Sequence, residues 1–430
     1  MGIEGPFPAR ASEVAAAADL SNRVFRPLDQ FKEGTMHLEF PLVFSHDHPE
    51  RLWIIKDGSR VVSLVGFLER PVLVEGCRIP AAALGTVCTD PEYRGQGLAG
   101  RILAALLDHL RERGVHLVII SGDRSLYRRA GAVTAGLVRW IVAPAADPAG
   151  SGNPLDGNPL PGRTWAVREA RESDFVQVLR LYEREPLRFE RSLADLRAFV
   201  SALPHAYAGT RFRRLWVAVR EGGKEAPNAD RAAGQERVEA YLVTDGPATA
   251  PGAAPAATST PPLPAPASTP VYWQAMEWGG VRRAVWSMAK ELAARHGVAG
   301  VRFPVTDADH ELLDVAATAG IAWETLPQNS WGGTWLALDP AGLVRDLTPL
   351  LGRELGDRLE QMPARSTAAE GTSVAGEVLP ILFGAKESWW AGTRTKWVEE
   401  LSRRLAVPAS LVEQSPLPLP LVWGFTLNFV

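Results

Sequence analysis

Between Ala15 and Val142 the apolar positions change period in a fixed order, predicting helix, strands, helix, strand, helix, strand. Leu52–Lys56 and Arg60–Leu68 are strand-like runs joined by Asp57-Gly58-Ser59, a hairpin signal. Val72–Glu75 and Arg78–Ala82 predict a second hairpin around Gly76, and Ala83–Thr89 continues as a strand. The period then switches to that of a helix. Leu98, Ile102, Leu106 and Leu110, flanked by Leu103 and Leu107, form one stripe, while Arg101, Asp108, Arg111 and Glu112 face water. Gly114 closes that helix, Val115–Ile120 reads as a strand covered on both faces, and Ser125–Ala130 is a short helix closed by Gly131.

The order then repeats. Thr164–Leu338 carries a helix over Asp174–Glu185 and strands over Leu215–Arg220, Arg237–Thr244 and Val271–Glu277. A helix over Val281–Arg295, a strand over Val298–Val305 and a helix over Ala308–Ala319 complete the copy. Pro, Gly, Asn and Asp dominate the linker at 144–162, so the expected domains are 1–143 and 163–334, with an Ala/Pro-rich disordered insert at 246–270 and a C-terminal domain over 335–430. That last part should hold helices near Ala341–Leu355 and Thr395–Leu405, a short apolar run Val378–Phe383, and an apolar tail from Leu421 to Val430.

Composition narrows the class. A length of 430 residues exceeds one ordinary core, and 46% hydrophobic with 22% charged residues is ordinary for a globular, soluble chain. Lys and Arg (46) nearly balance Asp and Glu (49), which gives no general field for nucleic acid or an anionic membrane. Cys77 and Cys88 cannot form a disulfide framework, and the N-terminus lacks the apolar core of a signal peptide, so a cytoplasmic location is expected. His46-Asp47-His48 lacks further ligands and Trp389-Trp390 reads as core or interface, so no metal is expected.

The chemistry concentrates in Val87-Cys88-Thr89-Asp90-Pro91-Glu92-Tyr93-Arg94-Gly95-Gln96-Gly97-Leu98-Ala99: an apolar strand, a turn, and an Arg/Gly loop opening into a strong helix. Glycines let the backbone approach a ligand, and the helix N-terminus offers unpaired N–H groups, so the loop suits a pyrophosphate. Gly100 completes a G-x-G-x-x-G spacing, but an antiparallel hairpin leads in and no series of βα units follows, which argues against a dinucleotide fold. No lysine lies between Lys56 and Lys224, so the Walker A lysine is missing, which argues against a P-loop as well. A glycine-rich structural turn is the plain alternative. Downstream, Ser121-Gly122-Asp123-Arg124-Ser125-Leu126-Tyr127 brings a tyrosine onto the next short helix, either a proton donor or a core residue.

Arg94-Gly95-Gln96-Gly97-Leu98-Ala99 resembles the acetyl-CoA motif Arg/Gln-x-x-Gly-x-Gly/Ala of GNAT acetyltransferases. The resemblance implies an α/β fold of tandem GNAT domains in which Val87, Cys88 and Thr89 line the pantetheine and Arg94, Gly95, Gln96, Gly97, Leu98 and Ala99 hold the pyrophosphate. Tyr127 would protonate the leaving thiolate. The whole layout resembles the Eis (enhanced intracellular survival) family, which implies a degenerate second GNAT copy, a sterol-carrier-like C-terminal domain, a homo-oligomer, and the carboxylate of Val430 as base. The second copy has Glu277-Trp278-Gly279-Gly280-Val281 in place of the motif and should not bind CoA. The expected reaction moves an acetyl group from acetyl-CoA to a primary amine, either a small molecule or a lysine-like acceptor. The rival readings are a non-catalytic acyl-CoA-binding or carrier protein, and transfer of a longer acyl chain.

Overall fold

The computed structural model describes residues 2–28, 34–146, 165–204, 211–220, 236–247, 270–327, 333–362, 374–384 and 394–420. Along the chain the strands are β1 (Ile3–Pro8), β2 (Leu52–Asp57), β3 (Arg60–Glu69), β4 (Val72–Val74), β5 (Cys77–Ile79), β6 (Ala81–Thr89), β7 (Leu117–Ile120) and β8 (Leu137–Pro144). They continue with β9 (Trp165–Glu169), β10 (Leu187–Phe189), β11 (Arg211–Arg220), β12 (Val238–Pro247), β13 (Tyr272–Gly280), β14 (Gly300–Val305), β15 (Glu324–Pro327) and β16 (Thr334–Ala337). The helices before β16 are α1 (Val14–Phe25), α2 (Met36–Glu39), α3 (Leu98–Glu112), α4 (Ser125–Arg129), α5 (Phe175–Tyr182), α6 (Leu193–Ser201), α7 (Arg282–Arg295) and α8 (His310–Thr318). No helix among the described residues is long and apolar enough to cross a membrane.

The chain divides into two compact units, one comprising residues 1–138, 186–190 and 326–430, the other 139–185 and 191–325. In the first, a six-stranded sheet runs β1-β2-β3-β6-β7-β16, and a small sheet runs β10-β4-β5. β6 and β7 are parallel, as the α3 crossover between them requires, and β16 closes the edge antiparallel to β7. Leu98, Ile102, Leu106 and Leu110 of α3 are buried in one apolar cluster with Val118 and Ile120, which explains the stripe read from the sequence. Leu117 and Ile119 belong to a second cluster with Leu20 of α1 and Leu343, Leu347, Leu379 and Leu401 of the C-terminal helices. β7 is therefore apolar at every position because it is buried on both faces.

The C-terminal stretch departs from the sequence reading in two places. The helix expected over Ala341–Leu355 breaks into Pro340–Leu351 and Arg353–Glu360, because Gly352 takes a left-handed φ of 79° between them. The apolar run Val378–Phe383 is the end of a helix, Val374–Phe383. Helices Arg394–Leu405 and Ala409–Glu413 follow.

In the second unit, a seven-stranded sheet runs β15-β8-β14-β13-β12-β11-β9. Here too β13 and β14 are parallel, joined by α7, with α8 following β14. The strand–helix–strand–helix order of the first unit is thus repeated with the same parallel pair at its centre, as the α/β reading of two copies requires. Most of the expected linker, 147–162, most of the expected insert, 248–269, the Trp389-Trp390 pair and the tail at 421–430 lie outside the described residues.

Candidate functional site

The site begins where two strands part. β7 pairs with β6 only over Ala81–Leu84, and Ser121 N–H donates to Leu84 O at 2.8 Å as the last rung. β6 runs on to Thr89 with its register to β3 shifted between Leu64 and Gly66, and Thr86 sits at a φ of 47° at that irregularity. A threonine in the left-handed region costs roughly 1–3 kcal/mol, which the surrounding sheet must sustain. Asp90 N–H donates to Val62 O at 2.9 Å, so alternation turns the peptide groups of Thr89 away from β3, toward the side that β7 has left. Arg94 Nε makes a long contact of 3.4 Å with Thr89 O from that side. Val87 and Cys88 are buried and Thr89 is half-buried. Burial pushes the Cys88 thiol up to about 12, so it remains protonated.

The loop after β6 is clamped from below. The buried Asp90 carboxylate accepts from Glu92 N–H at 3.2 Å, capping the turn Pro91–Tyr93, and from Arg60 at 2.7 Å and Arg23 at 3.3 Å. Burial pushes the Asp90 pKa up, but the Arg60 and Glu92 bonds outweigh it and leave the carboxyl below its ordinary range. Tyr93 Oη donates to Asp57 at 2.8 Å, tying the loop to the β2–β3 turn. Gly95 and Gly97 then adopt φ of 79° and 71°, and a Cβ at either would meet nothing within 4 Å. Space above the loop is open, but the backbone conformation is one that side chains resist. Gly97 caps α3 with no side-chain hydrogen bond, so the first N–H groups of a 15-residue helix are left for a ligand. Arg94, Gly95, Gln96 and Gly97 are exposed, Leu98 is buried and Ala99 half-buried. An uncapped helix N-terminus, an exposed guanidinium and an open rim together fit a pyrophosphate.

Across the gap, Tyr127 of α4 is 2% exposed and shares an apolar cluster with Val87 and Leu98. Its ring edge would lie 3.7 Å from a Cβ at Gly122, the residue that turns the chain out of β7. Burial raises its pKa above the ordinary phenol value, with Arg124 opposing, so it is a neutral donor at physiological pH. Val87–Thr89, the Arg94–Ala99 loop and Tyr127 thus gather around one parting of two strands. Val430 lies outside the described residues. His46 and Asp47 show no group of metal ligands around them, and His48 faces Glu50 at 3.3 Å on the surface.

Residues that the sequence reading did not single out do much of the positioning: Asp90, Arg60, Arg23 and the Tyr93–Asp57 pair. Asp90-Pro91 carried a local signal, since Asp followed by Pro is a frequent cap and first turn. Arg60 and Arg23 carried none, because their contacts span 30 and 67 residues.

The same point in the second unit is ion-paired, beside a cavity of about 300 Å³ lined by Val281, Arg282, Arg283 and residues of α8. Glu185 accepts from Gly280 N–H at 3.2 Å and from Arg282, and Asp309 accepts from Arg282 Nε at 2.7 Å and from Trp278 Nε1 at 2.7 Å. A Cβ at Gly280 would stand 2.2 Å from Glu239 O. Deeper in, Glu277 is buried against Arg191 and accepts from Tyr241 Oη at 3.0 Å. The cation at the start of α7 is thus paired with carboxylates, whereas Arg94 has no carboxylate partner among the described residues; the first N–H groups of α7, like those of α3, carry no side-chain cap.

Residues 7–135 match the family model described as an acetyltransferase (GNAT) domain. The chain is 37% identical over 75 residues to the uncharacterized N-acetyltransferase YhbS of Escherichia coli K12, a stretch that covers 17% of this chain and 44% of that protein. It therefore spans less than half of that relative. A conserved protein of unknown function from Enterococcus faecalis V583, a probable N-acyltransferase, superposes over 80% of this chain and 74% of its own with a TM-score of 0.52 at 13% identity, which shows a shared fold. Eis1 from Mycobacterium abscessus aligns over 80% of this chain and 75% of its own with a TM-score of 0.49 at 14% identity.

Proposed function

We propose that this chain, which carries a GNAT acetyltransferase domain at residues 7–135, transfers an acetyl group from acetyl-CoA to a primary amine in its first unit. One observation carries the reading: the uncapped N-terminus of α3, with Arg94 beside it, stands at the mouth of a gap between parallel strands that has Tyr127 on its far wall. Arg94 and the N–H groups of Gly95–Ala99 hold the pyrophosphate. Thr89, whose peptide groups face the gap, aligns the pantetheine as a further strand would. Tyr127 gives its proton to the sulfur as the carbon–sulfur bond breaks, and the amine nitrogen takes the acetyl carbon after losing a proton to a base. The resemblance to the Eis family makes the Val430 carboxylate the proposed base, and a comparison of N-terminally and C-terminally extended protein on one amine tests it. Equal rates would exclude it.

The test of the reaction is thiol release from acetyl-CoA with a panel of amines. Turnover that falls about a hundredfold in Tyr127→Phe, with cofactor affinity kept, is the expected result. Protection of the protein against heat by acetyl-CoA without release of thiol for any amine would instead favour an acyl-CoA carrier. A longer acyl-CoA outpacing acetyl-CoA would reassign the donor.

A further inference from the structure

We propose that Thr86 sets the length of the acyl group: its side chain is the stop at the closed end of the gap, leaving room for acetyl and excluding longer chains. The inference rests on the transfer reaction proposed above. With the pyrophosphate at Gly95–Ala99 and the pantetheine beside Thr89, the thioester points along β6 toward Leu84, where the bond from Ser121 N–H closes the gap. Thr86 is met before that rung. The two faces of the sheet differ at this point. Leu84, Val87 and Tyr127 share the apolar cluster of the α3 face and none is more than 5% exposed, so that face is full. Val65 alone on β3 stands opposite both Thr86 and Val87, and the extra residue puts Gly85 and Thr86 in succession on the other face, which α1 covers. Gly85 has no side chain to offer, so a carbon beyond the acetyl methyl runs into Thr86.

As a structural residue, threonine is a poor choice here. A φ of 47° favours glycine over any β-branched side chain. The Thr86 side chain is also spent on no bond: the residue is 4% exposed, and its Oγ1 is buried without a hydrogen-bond partner among the described residues. What the side chain contributes is therefore bulk. The opposite strand makes room for it, because a Cβ at Gly66 would stand 2.4 Å from Thr86 Oγ1 and 2.6 Å from Val43 Cγ1. Both side chains thus crowd one point over β3. Val43 is itself fully buried in the cluster that includes Leu20 of α1, so it holds Thr86 in place and the stop cannot swing aside.

Thiol release by the full chain with one amine, measured as kcat/KM for acetyl-, propionyl- and butyryl-CoA, tests this. Thr86→Gly accepts the backbone conformation and removes the stop, so it should raise the ratio of butyryl-CoA to acetyl-CoA about tenfold or more, with a smaller rise in Thr86→Ala. Thr86→Val keeps the branch and removes only the unbonded hydroxyl, and its ratio should stay within about threefold of the unaltered chain's. Circular dichroism identifies the folded variants, and calorimetric affinities for the same acyl-CoAs give the ratio without turnover. An unchanged ratio in a folded Thr86→Gly or Thr86→Ala chain, or a ratio in Thr86→Val that rises as far as in Thr86→Gly, would overturn the stop. A chain that turns over no acyl-CoA with any amine, yet whose affinity ratio shifts as predicted, would overturn the proposed function instead and leave the stop standing.

Discussion

Two stretches where the parallel-paired strands end, Arg94–Gly97 after β6 and Trp278–Val281 at the end of β13, show how differently one architecture can be finished. Each enters a long helix and each strand outruns its parallel neighbour, β6 beyond Leu84 and β13 beyond Gln274. In the first, glycines leave empty space, a cation stands free, and the acid nearby, Asp90, is spent on holding the turn from beneath. In the second, Gly280 is pressed against backbone and Gly279 against the Tyr241 and Glu185 side chains, and the cation Arg282 is tied between Glu185 and Asp309. The same architecture leaves its cation exposed in one place and builds an ion-paired cluster in the other. What differs is whether the cation at the start of the helix is already paired.

That contrast predicts unequal penalties. Gly280→Ala should have a large effect on stability: a Cβ at 2.2 Å from Glu239 O cannot be accommodated without backbone movement, at a cost of about 3 kcal/mol or more, read by chemical denaturation. Gly97→Ala, with open space but a φ of 71°, should cost only about 1 kcal/mol. Equal costs would show that the second loop is not tightly packed. Arg191→Met leaves Glu277 buried without its partner and should cost about 3–5 kcal/mol, whereas Arg60→Met, at an exposed guanidinium, should change stability little and act mainly by loosening the Arg94–Ala99 loop. A weaker acetyl-CoA affinity in Arg60→Met at nearly unchanged stability is the expected signature.

The smallest effect concerns acid. Asp90 has a folded pKa below its unfolded value, so its contribution is complete above the ordinary carboxylate range, about pH 4, and is lost as pH falls through the lower folded value. Asp90→Asn should therefore flatten the acid limb of the stability curve and leave its neutral part lowered. A variant with an unchanged acid limb would mean that Arg60 and Arg23 do not depend on that charge.

Much of the first site was legible because its parts are local. Val87 to Ala99 contains strand, cap, glycines and helix start in one run, and the Leu98–Leu110 stripe fixes which side of α3 is buried. Tyr127 could be placed because Gly122 and Gly131 bracket its short helix. The pairings that complete the fold were not legible: β16 joins β7 across more than two hundred residues, and β10 pairs with β4 across more than one hundred. Nor could the sequence show how the second stretch differs. Absence of an Arg/Gly motif suggested it, but Glu185 lies 95 residues from Gly280 and nothing in its own neighbourhood marks it.

The most direct test of the contrast is calorimetric titration of acetyl-CoA into the full chain and into Gly97→Val. The account predicts one site per chain, lost in the variant while circular dichroism remains that of the folded protein, because a β-branched residue at a φ of 71° forces the loop away from the uncapped helix. Two equivalent sites in the unaltered chain, or undiminished affinity in Gly97→Val, would contradict it.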